Sequence, residues 1–366
     1  MNFDFSEDQK LLADQVQRYL SDHCSMQVVR RALDDGERIA IDVWTGLAEM
    51  GLIATAVEEQ YGGTGAGYLE LCLVAQQVGA HLAPVPFGST VYLVAEAISR
   101  LGDEATKQNW LPKICSGEVK GALALVESMQ QVTPDQIHCQ VVDGKLSGSK
   151  MIVTDASHAD LFVVLARTGD GLGLFLCERG NVSTRAVDSV DLTRDTAEVT
   201  FEAAPVTLLS DDGWSALQTL FDRAAVLYAF EQLGGAQAAL DMAVGYANER
   251  FAFGRAIGSF QAIKHMLSDM YVSMKLAESN CYYAAWALAN DAPDLPLAAA
   301  TARVAATQAF QLCSKDNVQV HGGMGFTWEF DCHLYYRRSN FLALELGGLS
   351  EWEARLVDTL ALAESA

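Results

Sequence analysis

The chain has few features of a nucleic-acid-binding, membrane-spanning or disulfide-stabilised protein. Basic residues are scarce, because 25 Lys and Arg stand against 47 Asp and Glu; the net charge of −22 repels nucleic acids and anionic lipids. No uncharged apolar run reaches the roughly 18 residues that a transmembrane helix needs. The eight cysteines form no Cys-x-x-Cys pair, so we interpret them as buried thiols in a reducing compartment. Nucleic-acid and membrane partners are therefore not expected.

Targeting and metal-binding patterns are also missing. The first ten residues are acidic and polar, without the basic start and apolar run of a signal peptide or the arginines of a transit peptide. The seven histidines show no His-x-x-x-His or comparable spacing, so we predict no metal site. What remains is a chain of 366 residues with 50% hydrophobic content, enough for more than one packed domain. A cytoplasmic location is expected.

The first third of the chain has the periodicity of helices. Ser6 and Gln9 have the spacing of a capping box, and apolar residues follow at helical intervals. Further helical patterns cover residues 40–50, 68–79, 90–101 and 104–116. We therefore predict an N-terminal helical domain over residues 1–118.

The middle and the last third of the chain have different patterns of apolar residues. Short β-branched runs alternate with Gly and Asp turns up to about Leu209, and Asp143-Gly144 is typical of a type I′ hairpin turn. Long alanine-rich helical patterns then cover residues 214–250, 259–291, 296–320 and 331–362. The predicted fold is α+β multidomain, with a small antiparallel, barrel-like β domain over residues 119–210 and a C-terminal four-helix bundle over residues 211–366.

One informative segment joins the first two long helices of this bundle. Residues 249–261 read ERFAFGRAIGSFQ, in which Gly254 and Gly258 allow a tight turn and Ser259 can cap the following helix. Two arginines beside the unpaired N–H groups of a helix start make a plausible diphosphate site. The alternative is a helical hairpin whose arginines are simply solvated.

A second segment, residues 319–326 with the sequence QVHGGMGF, follows the third long helix. Its three glycines let a ligand approach bare backbone, although glycine clusters alone are weak evidence. Together the two segments resemble the acyl-CoA dehydrogenase family, whose C-terminal domain carries an Arg-x-x-Phe-Gly-(Lys/Arg)-x-(Ile/Leu)-x-x-x-Gln run and a later Gln-x-x-Gly-Gly-x-Gly run. The α, β, α order of domains and the Tyr61-Gly62-Gly63-x-Gly65 sequence are similar to that family as well.

The resemblance implies a flavoenzyme. FAD would bind between subunits of a homo- or hetero-tetramer and would oxidise an acyl-CoA thioester of a lipid or steroid type. Removal of the α-proton and the β-hydride would give a 2-enoyl-CoA, and electrons would pass to an electron-transferring flavoprotein. The positions that match family contacts to the FAD of a neighbouring subunit are Arg250, Phe253, Gln261, Gln319 and Gly323.

On the flavin side the sequence departs from the family. The motif Thr-Glu-Pro-Gly-Ala-Gly-Ser-Asp is reduced to residues 126–129 (VESM), and Trp-Ile-Thr-Asn becomes residues 152–155 (IVTD), so that Thr154 alone is retained as an expected flavin contact. This pattern resembles bacterial relatives that assemble two different subunits around one flavin site. The alternative to a complete enzyme is therefore a non-catalytic subunit that completes the FAD site of a paralogous partner.

The dehydrogenation needs a general base, and a carboxylate in an apolar helix is the type of group that suits it. Glu231 and Glu345 each stand in an apolar run before a Gly-Gly pair. The usual family glutamate aligns near Leu346 and is missing, whereas other members carry the base about two helical turns before Glu231. Glu231 is the predicted base, Glu345 is the second candidate, and a paired structural carboxylate is the alternative at both positions.

Overall fold

The computed structural model describes residues 5–34, 36, 38–129 and 131–365, and for residues 362–365 it describes the backbone. The N-terminal helices are α1 Glu7–His23, α2 Met26–Asp34, α3 Ile41–Glu49, α4 Tyr68–Ala80, α5 Glu96–Leu101 and α6 Glu104–Cys115. The predicted capping box is confirmed, since the Ser6 hydroxyl accepts from the Gln9 N–H while the Gln9 side chain accepts from the Ser6 N–H. The predicted helix over residues 90–101 is instead a π-helix, Gly88–Ala95, that continues into α5.

The middle of the chain forms one sheet that closes on itself. Its strands are β1 Gly121–Ala124, β2 Gln140–Val142, β3 Lys145–Thr154, β4 Leu161–Arg167, β5 Leu172–Glu178, β6 Val182–Ala186 and β7 Thr196–Ser210. The order is β1-β4-β2-β3-β7-β5, β4 also pairs with β5 to close a barrel, and β6 pairs with β7. The barrel-like prediction is confirmed.

Two details of this sheet refine the prediction. The Asp143-Gly144 hairpin joins β2 to β3 with positive φ at both residues, 49° and 71°, as the type I′ turn requires. The sheet is not purely antiparallel, because β1 and β2 each pair with β4 in parallel. A parallel pair needs a long connection between its strands, and the segments between these strands supply it.

The last third folds into long helices, as predicted. They are α7 Gly213–Glu249, α8 Gln261–Ala289, α9 Leu295–His321, α10 Cys332–Leu342 and α11 Leu349–Ser365, and the short strands β8 Phe251–Ala252 and β9 Arg255–Ala256 lie between α7 and α8. The predicted helix over residues 331–362 is two helices, because Leu346 and Gly347 have φ of 63° and 102° and interrupt it. The prediction that Ser259 caps α8 is wrong. Phe260 precedes the helix, and the Ser259 hydroxyl donates to the Ala256 carbonyl.

By its internal contacts the chain forms two compact units. The first comprises the described residues of Met1–Val29, Tyr68–Ala83 and Ala225–Ala366, and the second those of Arg30–Gly67 and Pro84–Ala224. The predicted boundaries at 118/119 and 210/211 stay predictions. All eight cysteines are buried free thiols, as expected. Among the described residues, no helix is long and apolar enough to span a bilayer.

Candidate functional site

The two glycine-containing segments lie at one end of the bundle in the first unit. Tyr246, on the last turns of α7, stacks on His321 at the end of α9 with ring centroids 4.0 Å apart. The segments that follow these two helices therefore begin side by side. His321 is buried, its Nδ1 contacts the Asn317 carbonyl at 2.8 Å, and burial lowers the pKa of its imidazole.

The first segment is a hairpin that projects from the end of α7. Strands β8 and β9 pair antiparallel, and the tip residues Phe253 and Gly254 have φ of 52° and 79°. Gly254 adopts this conformation without cost, whereas Phe253 is held there by the hairpin. The ring of Phe253 is 97% exposed. Arg250 is also exposed, and its carbonyl accepts from the Ile257 N–H at 2.8 Å across the base of the hairpin.

The second segment leaves α9 in a short turn. Gly322 has φ of 60°, and residues 322–326 form a 3-10 turn. Gln319 and Gly323 are exposed on either side of Gly322, and the Phe326 ring is 82% exposed. We call the five exposed residues of this region that match the family's FAD contacts the end surface. Its members are Arg250, Phe253, Gln261, Gln319 and Gly323.

The chemistry of the end surface fits a nucleotide. A guanidinium binds phosphate with several parallel hydrogen bonds, two carboxamides offer both donors and acceptors, and an uncovered aromatic ring can stack on a base. A Cβ atom added at Gly254 or at Gly323 would meet nothing within 4 Å, so these glycines leave open backbone beside the side chains. The residues expected to contact FAD are thus exposed, on the segments that follow the adjacent ends of α7 and α9.

Thr154 belongs to the second unit, at the end of β3. It is partly buried and lies opposite Thr196 in the sheet. The next residue, Asp155, has φ of 60°, and its buried carboxylate accepts from Arg194 at 2.7 Å and from the Ser89 hydroxyl at 2.6 Å. These contacts fix the strand end, and the assignment of Thr154 to flavin binding stays a prediction.

In the loop at residues 126–129, where the sequence departs from the family motif, Glu127 makes contacts within the β domain. The Glu127 carboxylate accepts from the Lys150 ammonium at 2.6 Å and from the backbone N–H groups of His138 and Cys139 at 2.7 and 3.1 Å. Lys150 is fully buried, and burial lowers the pKa of its ammonium. Both groups hold β3 and the start of β2 together, so the acid retained from the family motif serves this domain's own packing.

Glu231 lies in the interior of the first unit and is 0% exposed. Its Oε1 stands 4.0 Å from Nη1 of Arg338, which is equally buried and donates to the Leu82 carbonyl at 3.2 Å. Its backbone is closely packed as well, since a Cβ on Gly79 of α4 would lie 1.8 Å from the Glu231 carbonyl oxygen. These contacts favour the structural alternative for Glu231, and its role as base stays a prediction.

Glu345 has different surroundings, on the turn between α10 and α11. It is partly exposed, and its Oε2 accepts from the Tyr228 hydroxyl at 3.2 Å. Two buried residues were not predicted from the sequence: Arg303, which donates to the Glu345 carbonyl oxygen, and Arg338, the partner of Glu231. A charged residue on an apolar, alanine-rich helix face was the available signal for Arg303, because a buried arginine needs several acceptors.

No cluster of three or more His, Cys, Asp or Glu side chains suited to a metal ion occurs in the parts of the chain that the structure describes.

Comparison with known proteins agrees with the fold and the motifs. The model of the acyl-CoA dehydrogenase N-terminal domain matches residues 6–118, and that of the C-terminal domain matches residues 211–358. The acyl-CoA dehydrogenase IpdE2 of Mycobacterium tuberculosis is 32% identical over 335 residues, which cover 91% of both chains. The chain therefore belongs to the acyl-CoA dehydrogenase family, whose members are oxidoreductases that bind FAD.

Two solved structures with the same fold come from two-protein assemblies. The ChsE4-ChsE5 complex from Mycobacterium tuberculosis matches with a TM-score of 0.91 and 28% identity, covering 99% of both chains. The Tcur3481-Tcur3483 steroid ACAD matches with a TM-score of 0.89 and 29% identity, covering 98% of this chain and 99% of the other. The resemblance to subunits of heteromeric acyl-CoA dehydrogenases is thereby confirmed.

Proposed function

We propose that this chain takes part in the FAD-dependent α,β-dehydrogenation of an acyl-CoA thioester, and that its end surface holds the nucleotide part of an FAD bound at a subunit boundary. The observation that carries the proposal is that Arg250, Phe253 and Gln319 are exposed where α7 and α9 end, and the stack of Tyr246 on His321 places these two helix ends side by side. An exposed aromatic ring is available to stack on a base, and an exposed guanidinium is available to a phosphate. A dinucleotide presented by a second subunit offers both a base and a diphosphate to these groups.

FAD would accept the hydride from the β-carbon of the acyl group. The chain's own residues would do the rest: Arg250 would bind the diphosphate, Phe253 would cover the adenine, and Gln261 and Gln319 would hydrogen-bond its polar edge. A steroid or other bulky acyl group is the substrate class we favour, because a related structure is a steroid ACAD. An electron-transferring flavoprotein is the expected electron acceptor, and the cytoplasm is the expected location.

The experiment is to purify the chain with whatever subunit copurifies and to measure FAD from its visible absorbance. Addition of an acyl-CoA should bleach that absorbance, because substrate oxidation reduces the flavin. A panel of butyryl-, isovaleryl-, octanoyl- and cholyl-CoA covers short, branched, long and polycyclic acyl groups. Flavin that no member of the panel bleaches, or an assembly without flavin, would contradict the proposal.

A second candidate function is that of a non-catalytic subunit. Three observations favour it: Glu231 is buried against Arg338, Leu346 stands near the position of the usual base, and Glu127 is engaged by Lys150. Under this candidate the chain alone holds little FAD, and co-expression with a paralogous acyl-CoA dehydrogenase chain restores one flavin site to the pair. A homotetramer of this chain with one FAD per subunit would rule it out.

A further inference from the structure

A cavity of about 240 Å³ opens between α5 and the first turns of α7, at the place where β7 ends. All the residues that line it belong to the second unit, so this cavity is complete within that unit. An apolar cavity of about 150 Å³ holds benzene, which has six carbon atoms. By the same scale, the cavity of this chain has room for roughly ten carbon atoms.

Small and apolar side chains line the middle of the cavity. Ala97 and Leu101 come from α5 and are four residues apart, so they lie on one face of that helix. Ala216 and Leu220 have the same spacing on α7 and line the cavity from the other helix. A ligand that removes these hydrocarbon surfaces from water is favoured by the hydrophobic effect.

The buried end of the cavity is an ion pair. Nε of Arg223, on α7, donates to Oε1 of Glu96, on α5, and the two side chains are 3% and 6% exposed. A buried charge is costly unless an opposite charge accompanies it, and here each group supplies the charge that the other needs. The pair therefore adds polar side chains to the cavity without adding net charge.

The exposed end of the cavity is also balanced in charge. Asp212 and Arg100 line it and are exposed, and the Asp212 carboxylate accepts from the Ser215 N–H at 3.2 Å at the start of α7. The lining thus carries two acidic side chains, Glu96 and Asp212, and two basic side chains, Arg100 and Arg223. An ionic ligand would lose hydration here and would find no net charge of the opposite sign, whereas an uncharged ligand loses little.

We propose that this α5–α7 cavity is a binding site for an uncharged, mainly apolar molecule of about six to ten carbon atoms. The hydrocarbon of the ligand covers the alanine and leucine side chains of both helices, and the balanced ion pair forms the floor beneath it. The cavity shares no residue with the end surface, which belongs to the first unit. Binding in the cavity therefore does not depend on FAD.

The test is direct binding of two uncharged probes, cyclohexanol and 1-octanol, to the full chain in its purified assembly. Isothermal titration calorimetry measures the Kd of each probe. Ala216→Phe adds a ring to the wall of the cavity, so it should raise both Kd values at least about 10-fold, because space that is filled by protein is lost to a ligand. Ala262→Phe, which changes an exposed alanine on α8, is the matched control and should leave both Kd values unchanged.

A second variant and the thermal midpoint guard against a folding defect. Thr219 lines the same cavity and is exposed, so Thr219→Leu narrows the cavity without touching the ion pair and should also weaken binding. The thermal midpoint of each variant is measured without probe. If Ala216→Phe fails to fold, Thr219→Leu decides the result.

Charged probes test the predicted class of ligand. Cyclohexanecarboxylate and cyclohexylammonium keep the ring of cyclohexanol and carry a charge of either sign. Both should bind at least about 5-fold more weakly than cyclohexanol, because the lining offers no net charge to replace their hydration. Tighter binding of either ion than of cyclohexanol would show that the ligand is not of the uncharged class.

The inference is overturned if neither uncharged probe binds to wild type at millimolar concentration. It is also overturned if neither cavity variant weakens binding, or if Ala262→Phe weakens binding as much as they do. Failure of the proposed function gives a different result, namely an FAD content that Arg250→Met leaves unchanged. The same Arg250→Met assembly should bind cyclohexanol as wild type does, so the two outcomes are read independently.

Discussion

Two arginines of the first unit have opposite surroundings. Arg338 is fully buried beside Glu231 and donates to the Leu82 carbonyl, whereas Arg250 stands exposed where α7 ends. A buried charge is tolerated only with a partner, so the interior arginine is committed to contacts within the chain. The exposed arginine keeps its donors accessible to a phosphate. Burial therefore distinguishes the arginine that stabilises the fold from the arginine that we expect to bind a ligand.

Glycines of the first unit show the same contrast between the interior and the surface. A Cβ on Gly79 would stand 1.8 Å from the Glu231 carbonyl oxygen, and a Cβ on Gly234 would stand 1.8 Å from the Gln76 carbonyl oxygen, so α4 and α7 touch through bare backbone. At Gly323, on the end surface, a Cβ would meet nothing within 4 Å. The interior glycines permit close packing of two helices, and the surface glycine leaves its backbone accessible to a ligand.

The largest expected effect comes from breaking the interior ion pair. Glu231→Ala leaves the Arg338 guanidinium buried without its carboxylate, so the free energy of unfolding should fall by about 3–5 kcal/mol. Urea denaturation measures the loss, and Glu231→Gln should lose less because the amide can still accept a hydrogen bond.

The same variants decide the predicted catalytic role of Glu231. If Glu231 is the base, Glu231→Gln reduces flavin bleaching by acyl-CoA about 10²–10⁴-fold even in fully folded protein. If it is structural, the bleaching rate per folded molecule stays within a few-fold of wild type. A variant that is as stable as wild type but inactive would contradict the contrast drawn between the two arginines.

The interior helix contact gives the next largest effect. Gly79→Ala forces α4 and α7 apart, because the added methyl group overlaps the Glu231 carbonyl, and we expect a loss of about 3 kcal/mol in the free energy of unfolding. Gly323→Ala is the matched control and should change it by less than about 0.5 kcal/mol. Equal effects in the two variants would show that the close approach in the interior is not important for stability.

The end surface should respond in binding rather than in stability. Arg250→Met removes the donors expected at the FAD diphosphate, so the Kd for FAD in the purified assembly should rise about 10–100-fold. The midpoint of thermal unfolding without FAD should stay unchanged, since Arg250 is exposed. Lys275→Met, which removes another exposed cation of the bundle, controls for net charge. An Arg250 variant with wild-type FAD affinity would remove the main support for the proposed function.

The fold was predictable from the sequence where one pattern repeats over many residues. The long alanine-rich helices and the hairpin at Asp143 follow from periodicity and turn chemistry, and the structure has both. The break at residues 343–348 was missed although the Gly347-Gly348 pair is typical of a helix end, and Leu346 itself carries no signal of a left-handed conformation. The contacts of Arg303 to two carbonyls of this turn, which no local pattern predicts, help to hold it in place.

The candidate site was predictable only in part, for a related reason. Glycine patterns pointed to the two segments that carry Arg250 and Gln319, since such patterns are readable over a few residues, and the family resemblance supplied the roles predicted for both residues. The partners of Glu231 and Glu345 lie 107 and 117 residues away in the chain, and no local pattern records such a distance. Whether a carboxylate is paired or accessible is decided by those distant contacts, so the choice of base needs the structure.

The smallest expected effect is a pH dependence just behind the end surface. Burial lowers the pKa of His321 below its usual value of 6.5, so below pH 6.5 the unfolded chain binds a proton that the folded chain resists. Stability is therefore fully present above pH 6.5 and is lost as the pH falls toward the lowered value.

His321→Phe should keep the stack on Tyr246 and make the thermal midpoint fall less between pH 7 and pH 5.5, without removing the whole slope. Some slope should remain because burial also lowers the pKa of His81, in the same unit. Differential scanning calorimetry of both proteins at the two pH values measures the difference. An identical slope would mean that His321 is protonated in the folded chain as readily as in water. Water would then reach the imidazole of His321 next to the end surface. The contrast between the exposed end surface and the buried interior of the bundle would be weaker.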